Sequence, residues 1–74
     1  MIELFPNPFD KQIYVNVNYS GTIILVDLMG NPVHEQKIEA GTNLIKLENL
    51  LNGTYIAKIA LDNNISEVHK IVKH

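Results

Sequence analysis

Apolar and polar residues alternate with a period of two along most of the chain, and this pattern predicts strands. Ile13, Val15, Val17 and Tyr19 alternate with Tyr14, Asn16 and Asn18, so one face is apolar and the other wettable. Tyr55, Ala57, Ile59 and Leu61 alternate with Ile56, Lys58 and Ala60, and Ile45 and Leu47 point away from Lys46 and Glu48. Ile23 to Leu28 is a nearly continuous apolar run, the mark of a strand buried on both faces. Val33 to Ile38 is mixed and polar, as an edge strand is, and Ile65 to Val72 sets Glu67, His69 and Lys70 among Val68, Ile71 and Val72. A short strand over Ile2 to Phe5 brings the expected number to about seven.

Between these segments the turn signals recur: Ser20-Gly21, Gly30-Asn31-Pro32, Ala40-Gly41-Thr42, Asn52-Gly53 and Asp62-Asn63-Asn64. Gly and Asn tolerate the positive φ of tight turns, and Pro32 is excluded from a central strand. The ten Ile, six Val and three Thr favour a pleated surface, and no apolar stripe at helical spacing lasts three turns. Strands of this number bury their apolar faces best as two packed antiparallel sheets. The expected fold is therefore all-β, a small immunoglobulin-like β-sandwich; a five-stranded, partly open barrel is the second architecture, disfavoured by the strand count. The apolar phase of each strand puts Ile13, Val15, Val17, Ile24, Val26, Leu28, Ile45, Leu47, Leu50, Tyr55, Ala57 and Ile59 in the core.

Composition narrows the function. The 74 residues fit one domain, residues 1–74, which buries only about 60–65% of the surface its unfolded chain exposes. There is no Cys, hence no disulfide framework and no thiolate metal site. Six Lys, no Arg and a formal charge of −2 do not make the dense cationic surface that nucleic acid requires. No apolar run approaches the roughly 20 residues of a membrane helix, and no basic segment precedes an apolar one as in a signal peptide.

Candidate chemistry is sparse. Ser66, Glu67 and His69 are neighbours on one expected strand, but Ser66 faces away from the other two, so they form no catalytic set. His34, His69 and His74 lack metal-ligand spacing and are expected on the surface, so neither a metal nor another cofactor is expected. Pro6-Asn7-Pro8-Phe9 is expected to be stiff and extended, a connector before the first long strand or a marker separating this domain from something upstream. In Leu50-Leu51-Asn52-Gly53-Thr54-Tyr55, Gly53 is expected either at positive φ or too close to backbone for a Cβ. Tyr55 is expected to bury its ring and tie its hydroxyl to the segment 49–51, as at the tyrosine corner of sandwich folds. The terminal Lys70-Ile71-Val72-Lys73 reads either as an edge strand guarded by lysines or as a recognition segment for a partner. In the second reading both ammonium groups stay exposed, and replacing Lys70 and Lys73 by Gln changes stability by no more than about 0.5 kcal/mol.

Taken in order, these motifs resemble the type A C-terminal sorting domain of the bacterial type IX (Por) secretion system. The resemblance is carried by Pro6-Asn7-Pro8, by Asp27-Leu28-Met29-Gly30, by Gly41-Thr42-Asn43, by Leu50 to Tyr55 and by Lys70 to Lys73, and it covers Leu4 to Lys73. It implies a non-catalytic secretion signal at the C-terminus of a larger cargo, fused upstream and absent from these residues. It implies recognition by outer-membrane secretion machinery, passage through the periplasm to the cell surface or medium, and removal by a sortase-like protease that joins the cargo to lipopolysaccharide. If that machinery reads the domain, the expected translocon contact is Lys70, Ile71, Val72 and Lys73, because this segment lies at the chain end and alternates cationic with apolar groups. A small adhesive or spacer sandwich is the alternative from another class, though a carbohydrate platform wants more exposed aromatics than five Phe and Tyr provide.

Overall fold

The computed structural model describes residues 2–74, and every regular element in it is a strand. In chain order these are β1 (Glu3–Phe5), β2 (Gln12–Val17), β3 (Gly21–Val26), β4 (Pro32–Ile38), β5 (Gly41–Lys46), β6 (Gly53–Leu61) and β7 (Ser66–Lys73). They form a three-stranded sheet, β1-β2-β5, and a four-stranded sheet, β4-β3-β6-β7, with every neighbouring pair antiparallel. The non-consecutive pairs β2–β5 and β3–β6 are the crossed connections of an immunoglobulin-like sandwich.

The core between the sheets follows the alternation of β2, β5 and β6. Ile13, Val15, Val17, Ile45, Leu47, Tyr55, Ala57 and Ile59 are all buried, as the pattern predicts. The β3 phase is different. Ile23 and Leu25 are fully buried, whereas Ile24 lies half-exposed on the outer face. A run of consecutive apolar residues carries no alternation, so pairing decides the phase: Ile23 sits opposite Ile59 and Leu25 opposite Ala57. The register shift between Leu25 and Val26 falls in β4, where Val33 is the extra residue, and Val26, buried at 8% exposure, stays opposite Ile56 and outside the main core cluster.

Leu28 is not a core residue. It belongs to the β3–β4 turn and is 71% exposed, with Met29 beside it at 87%. The strand ends at Val26, two residues before the run does, because Asp27 redirects the backbone into a turn. Leu50 is half-buried and packs against the edge of the core. The strands contribute further buried residues, Ile38, Leu61 and Ile71, and Ile2 and Phe9 join them from outside any strand.

One glycine is required by close approach. A Cβ on Gly21 would collide with the backbone carbonyl of Ala60 and lie 2.8 Å from Leu61 Cα, so only glycine lets β3 meet β6 at that corner. At Gly53 φ is +154°, while the space around it is open. Of the two reasons expected for that glycine, backbone conformation holds and crowding does not.

Candidate functional site

The segments that the sequence singles out lie apart in the fold, and each fastens the chain at a different place. At the β3–β4 turn, Asp27 Oδ1 accepts hydrogen bonds from the backbone N–H of Met29 and of Asn31, both at 2.9 Å. Gly30 takes φ +86° to close this loop, and its N–H donates to the Asp27 carbonyl. The Asn31 backbone N–H is the main reason the Asp27 carboxyl is held below its ordinary pKa of 3.8. Slight burial opposes that shift; the Asn31 side chain and the Met29 and Gly30 amides add to it.

A depressed carboxylate pKa stabilises the folded state above the unfolded value, and that contribution is lost as pH falls through the folded value. We expect acidification from roughly pH 5 to pH 2 to destabilise the wild type more than Asp27→Asn, which carries no titrating group there. Urea midpoints measured across that range give the comparison; parallel curves for the two proteins would remove Asp27 as a contributor.

At the opposite end of the sandwich, Gly41 takes φ +108° and Asn43 ties the β4–β5 turn. Asn43 Oδ1 accepts from the Glu39 N–H at 2.9 Å, and its Nδ2 donates to the carbonyls of Glu39 (2.8 Å) and Val15 (3.2 Å).

The β5–β6 corner holds Leu50, Gly53 and Tyr55. The Tyr55 ring is buried and its hydroxyl donates to the Leu51 carbonyl at 2.5 Å, within the stretch the sequence indicates. This is the geometry of a tyrosine corner, on the strand that follows the crossover. Tyr55→Phe removes that bond and leaves the ring. A loss of about 0.5–1.5 kcal/mol in urea unfolding is the expected cost, and an unchanged midpoint would show that the corner holds without it.

Pro6-Asn7-Pro8-Phe9 is bent rather than extended, and the Phe5–Pro6 and Asn7–Pro8 peptide bonds are both cis. The segment runs along the free edge of β7. Asn7 Nδ2 donates to the Lys70 carbonyl and Asn7 Oδ1 accepts from the Val72 N–H, each at 3.0 Å, so one side-chain amide stands in for a neighbouring strand. Phe9 continues the pairing with its own backbone: its N–H donates to Val72 O at 2.8 Å, and its carbonyl accepts from His74 N–H at 2.9 Å. Its ring is buried at 1% exposure. The sequence offered no periodic signal for Phe9 because it lies outside every strand.

The terminal strand is where the structure departs most from expectation. Lys73 is 7% exposed. Its Nζ donates to the carbonyls of Leu47 (2.9 Å), Glu48 (3.1 Å) and Leu50 (2.6 Å), so the ammonium caps the loop between β5 and β6. Ile71 is in the core, Val72 is half-buried, and only Lys70 presents an exposed side chain. The expectation that both lysines remain exposed and dispensable for folding is thus corrected for Lys73. The register places residue 73, like residue 71, on the inner face, where three carbonyls of a non-strand loop need donors.

Several other polar side chains are paired. His69 Nε2 lies 2.7 Å from Glu67 Oε1, Ser20 Oγ donates to Asp62 Oδ2 at 2.7 Å, and His34 Nε2 lies 2.9 Å from Gln36 Oε1. Among the described residues no group of three His, Cys, Asp or Glu side chains is placed to hold a metal ion.

The distinctive residues of this sandwich fasten turns and a strand edge. A family model described as the secretion system C-terminal sorting domain matches residues 3–74, and the chain belongs to that family. The chain is a C-terminal sorting signal of the type IX secretion system, and such a signal implies delivery to the cell surface or medium. Comparison with curated proteins and with solved structures finds no match.

Proposed function

We propose that this domain is read as a folded unit by the type IX outer-membrane translocon after its cargo has reached the periplasm. A sortase-like protease then removes it from the cargo. The family match over residues 3–74 carries the reading. The seal between the segment Asn7–Phe9 and β7 supports the folded form: backbone groups of Lys70, Val72 and His74 are already engaged, so this part of the edge offers no free ladder to an added strand. Of the four residues 70–73, Lys70 supplies the exposed cation for a translocon contact, and Ile71, Val72 and Lys73 hold the strand in place.

The test fuses residues 1–74 to the C-terminus of a periplasmic reporter in a host with this secretion system. The expected result is reporter at the surface or in the medium, shortened by about the 8.4 kDa of the domain when the sortase-like protease is present and full-length when its gene is deleted. Reporter held in the periplasm would overturn the sorting function, and identical products with and without the protease would overturn the processing step.

A further inference from the structure

The outer face of the four-stranded sheet concentrates positive charge on a chain that is acidic as a whole. Alternation from the buried Ile23, Leu25, Ala57, Ile59 and Ile71 directs Thr22, Ile24, Ile56, Lys58, Ala60, Val68 and Lys70 outward. Register adds β4 to that face, with Glu35 opposite Ile24 and Lys37 opposite Thr22. Lys37, Lys58 and Lys70 are all exposed, and Glu35 is the one acidic side chain among them. The face therefore carries an excess of two positive charges, against −2 for the whole chain. Among the described residues none of the three lysines lies within salt-bridge distance of a carboxylate.

Apolar surface is interleaved with the charge. Ile24 and Val68 flank Lys58 on the neighbouring strands, and Ile56 lies opposite Lys70. Val68 is 67% exposed. A shallow hollow of about 260 Å³ opens here, lined by Thr22, Ile24, Lys58, Ser66 and Val68 and also by Glu67, which belongs to the inner phase of β7 and whose carboxylate is paired with His69. The edges of the sandwich are engaged with its own segments at Asn7 and at Gln36, whose Nε2 donates to the Leu44 carbonyl, whereas no segment of the described chain crosses this face.

We propose that this face is a docking surface for a protein partner that places an apolar side chain in the hollow and carboxylates around it, opposite Lys37, Lys58 and Lys70. Charge complementarity identifies the occupant. Anionic lipid is the poorer fit, because juxtamembrane lipid recognition uses clusters of about four to eight Lys or Arg and interfacial aromatics. This face offers three lysines interrupted by a glutamate, and no Phe, Tyr or Trp. The proposal rests on the sorting reading, of which it names the contact surface, and it extends the contact from Lys70 to Lys58 on the preceding strand β6 and to Lys37 on the distant strand β4.

The experiment uses the reporter fusion with Lys37, Lys58 and Lys70 all changed to Glu, a second variant with all three changed to Gln, and a control with Lys11→Glu and Lys46→Glu, exposed residues away from this face. The expected result is export reduced by about tenfold or more in the Glu variant, an intermediate loss in the Gln variant, and export unchanged in the control, with circular dichroism melts superimposable on wild type. Flotation with phosphatidylglycerol vesicles is expected to show no binding by the isolated domain. Unchanged export in both triple variants, while the unaltered fusion is exported, overturns the docking surface and leaves the sorting reading standing. An equal loss in the control assigns the effect to net charge and overturns it too. Vesicle binding that the Glu variant loses replaces the protein partner with lipid. An unaltered fusion that is not exported removes the sorting reading and this proposal together.

Discussion

Replacing Lys73 by Met is expected to destabilise the domain by about 2–4 kcal/mol, the summed effect of removing a buried charged donor and of leaving the Glu48 and Leu50 carbonyls without that partner. An ammonium has three donors, and here each meets one carbonyl, at Leu47, Glu48 and Leu50. Met keeps the length and apolar character of the stem, so the loss reports the hydrogen bonds rather than packing. For a chain of this size the midpoint of thermal unfolding should fall by roughly 10–30 °C. Lys70→Gln, at an exposed position on the same strand, should stay within about 0.5 kcal/mol of wild type. A Lys73→Met midpoint within about 2 °C of wild type would mean that the three carbonyls are hydrated or satisfied elsewhere. The contrast matters for secretion experiments. Loss of export in a Lys73 variant reports an unfolded corner, so only Lys70 and other exposed groups can be tested as recognition residues.

The second large effect is expected at Ile23, where Ala should cost about 2–5 kcal/mol through lost transfer free energy and the cavity left between the sheets. Ile23 is fully buried and faces Ile59 across the β3–β6 pair. Ile24→Ala removes the same atoms one residue along, from the half-exposed outer face, and should cost less than about 1.5 kcal/mol. Chemical denaturation of the two variants measures the strand phase directly. Equal losses would mean that β3 is buried on both faces, and a larger loss at Ile24 would mean that its register is shifted by one residue.

Much of the architecture was legible in the chain because a strand with one buried face writes its phase into the sequence. For β2, β5 and β6 the alternation gave the inner face residue by residue, and Gly30, Gly41 and Gly53 marked three of the turns. Tyr55 could be placed for a similar reason. Its hydroxyl partner, Leu51, is only four residues away, so local geometry confines the bond to the preceding loop.

What the sequence by itself determined, then, was the class of fold, the number of strands, the inner face of those that alternate, and the ordered motifs of the sorting family. These are properties set within a few residues of one another. Tertiary structure alone decided the phase of β3, where Ile23, Ile24, Leu25 and Val26 offer no polar residue to mark a face and pairing with β6 makes the choice. It decided the role of Asn7 and Phe9, which bond a strand more than 60 positions away. It also turned Lys73 from an expected surface cation into the cap of a loop. A terminal lysine in an edge strand looks solvated until the fold brings the carbonyls of Leu47, Glu48 and Leu50 within reach of its ammonium. Hydrogen-bond demand from a distant loop leaves no periodic trace, and only the folded chain shows where it falls.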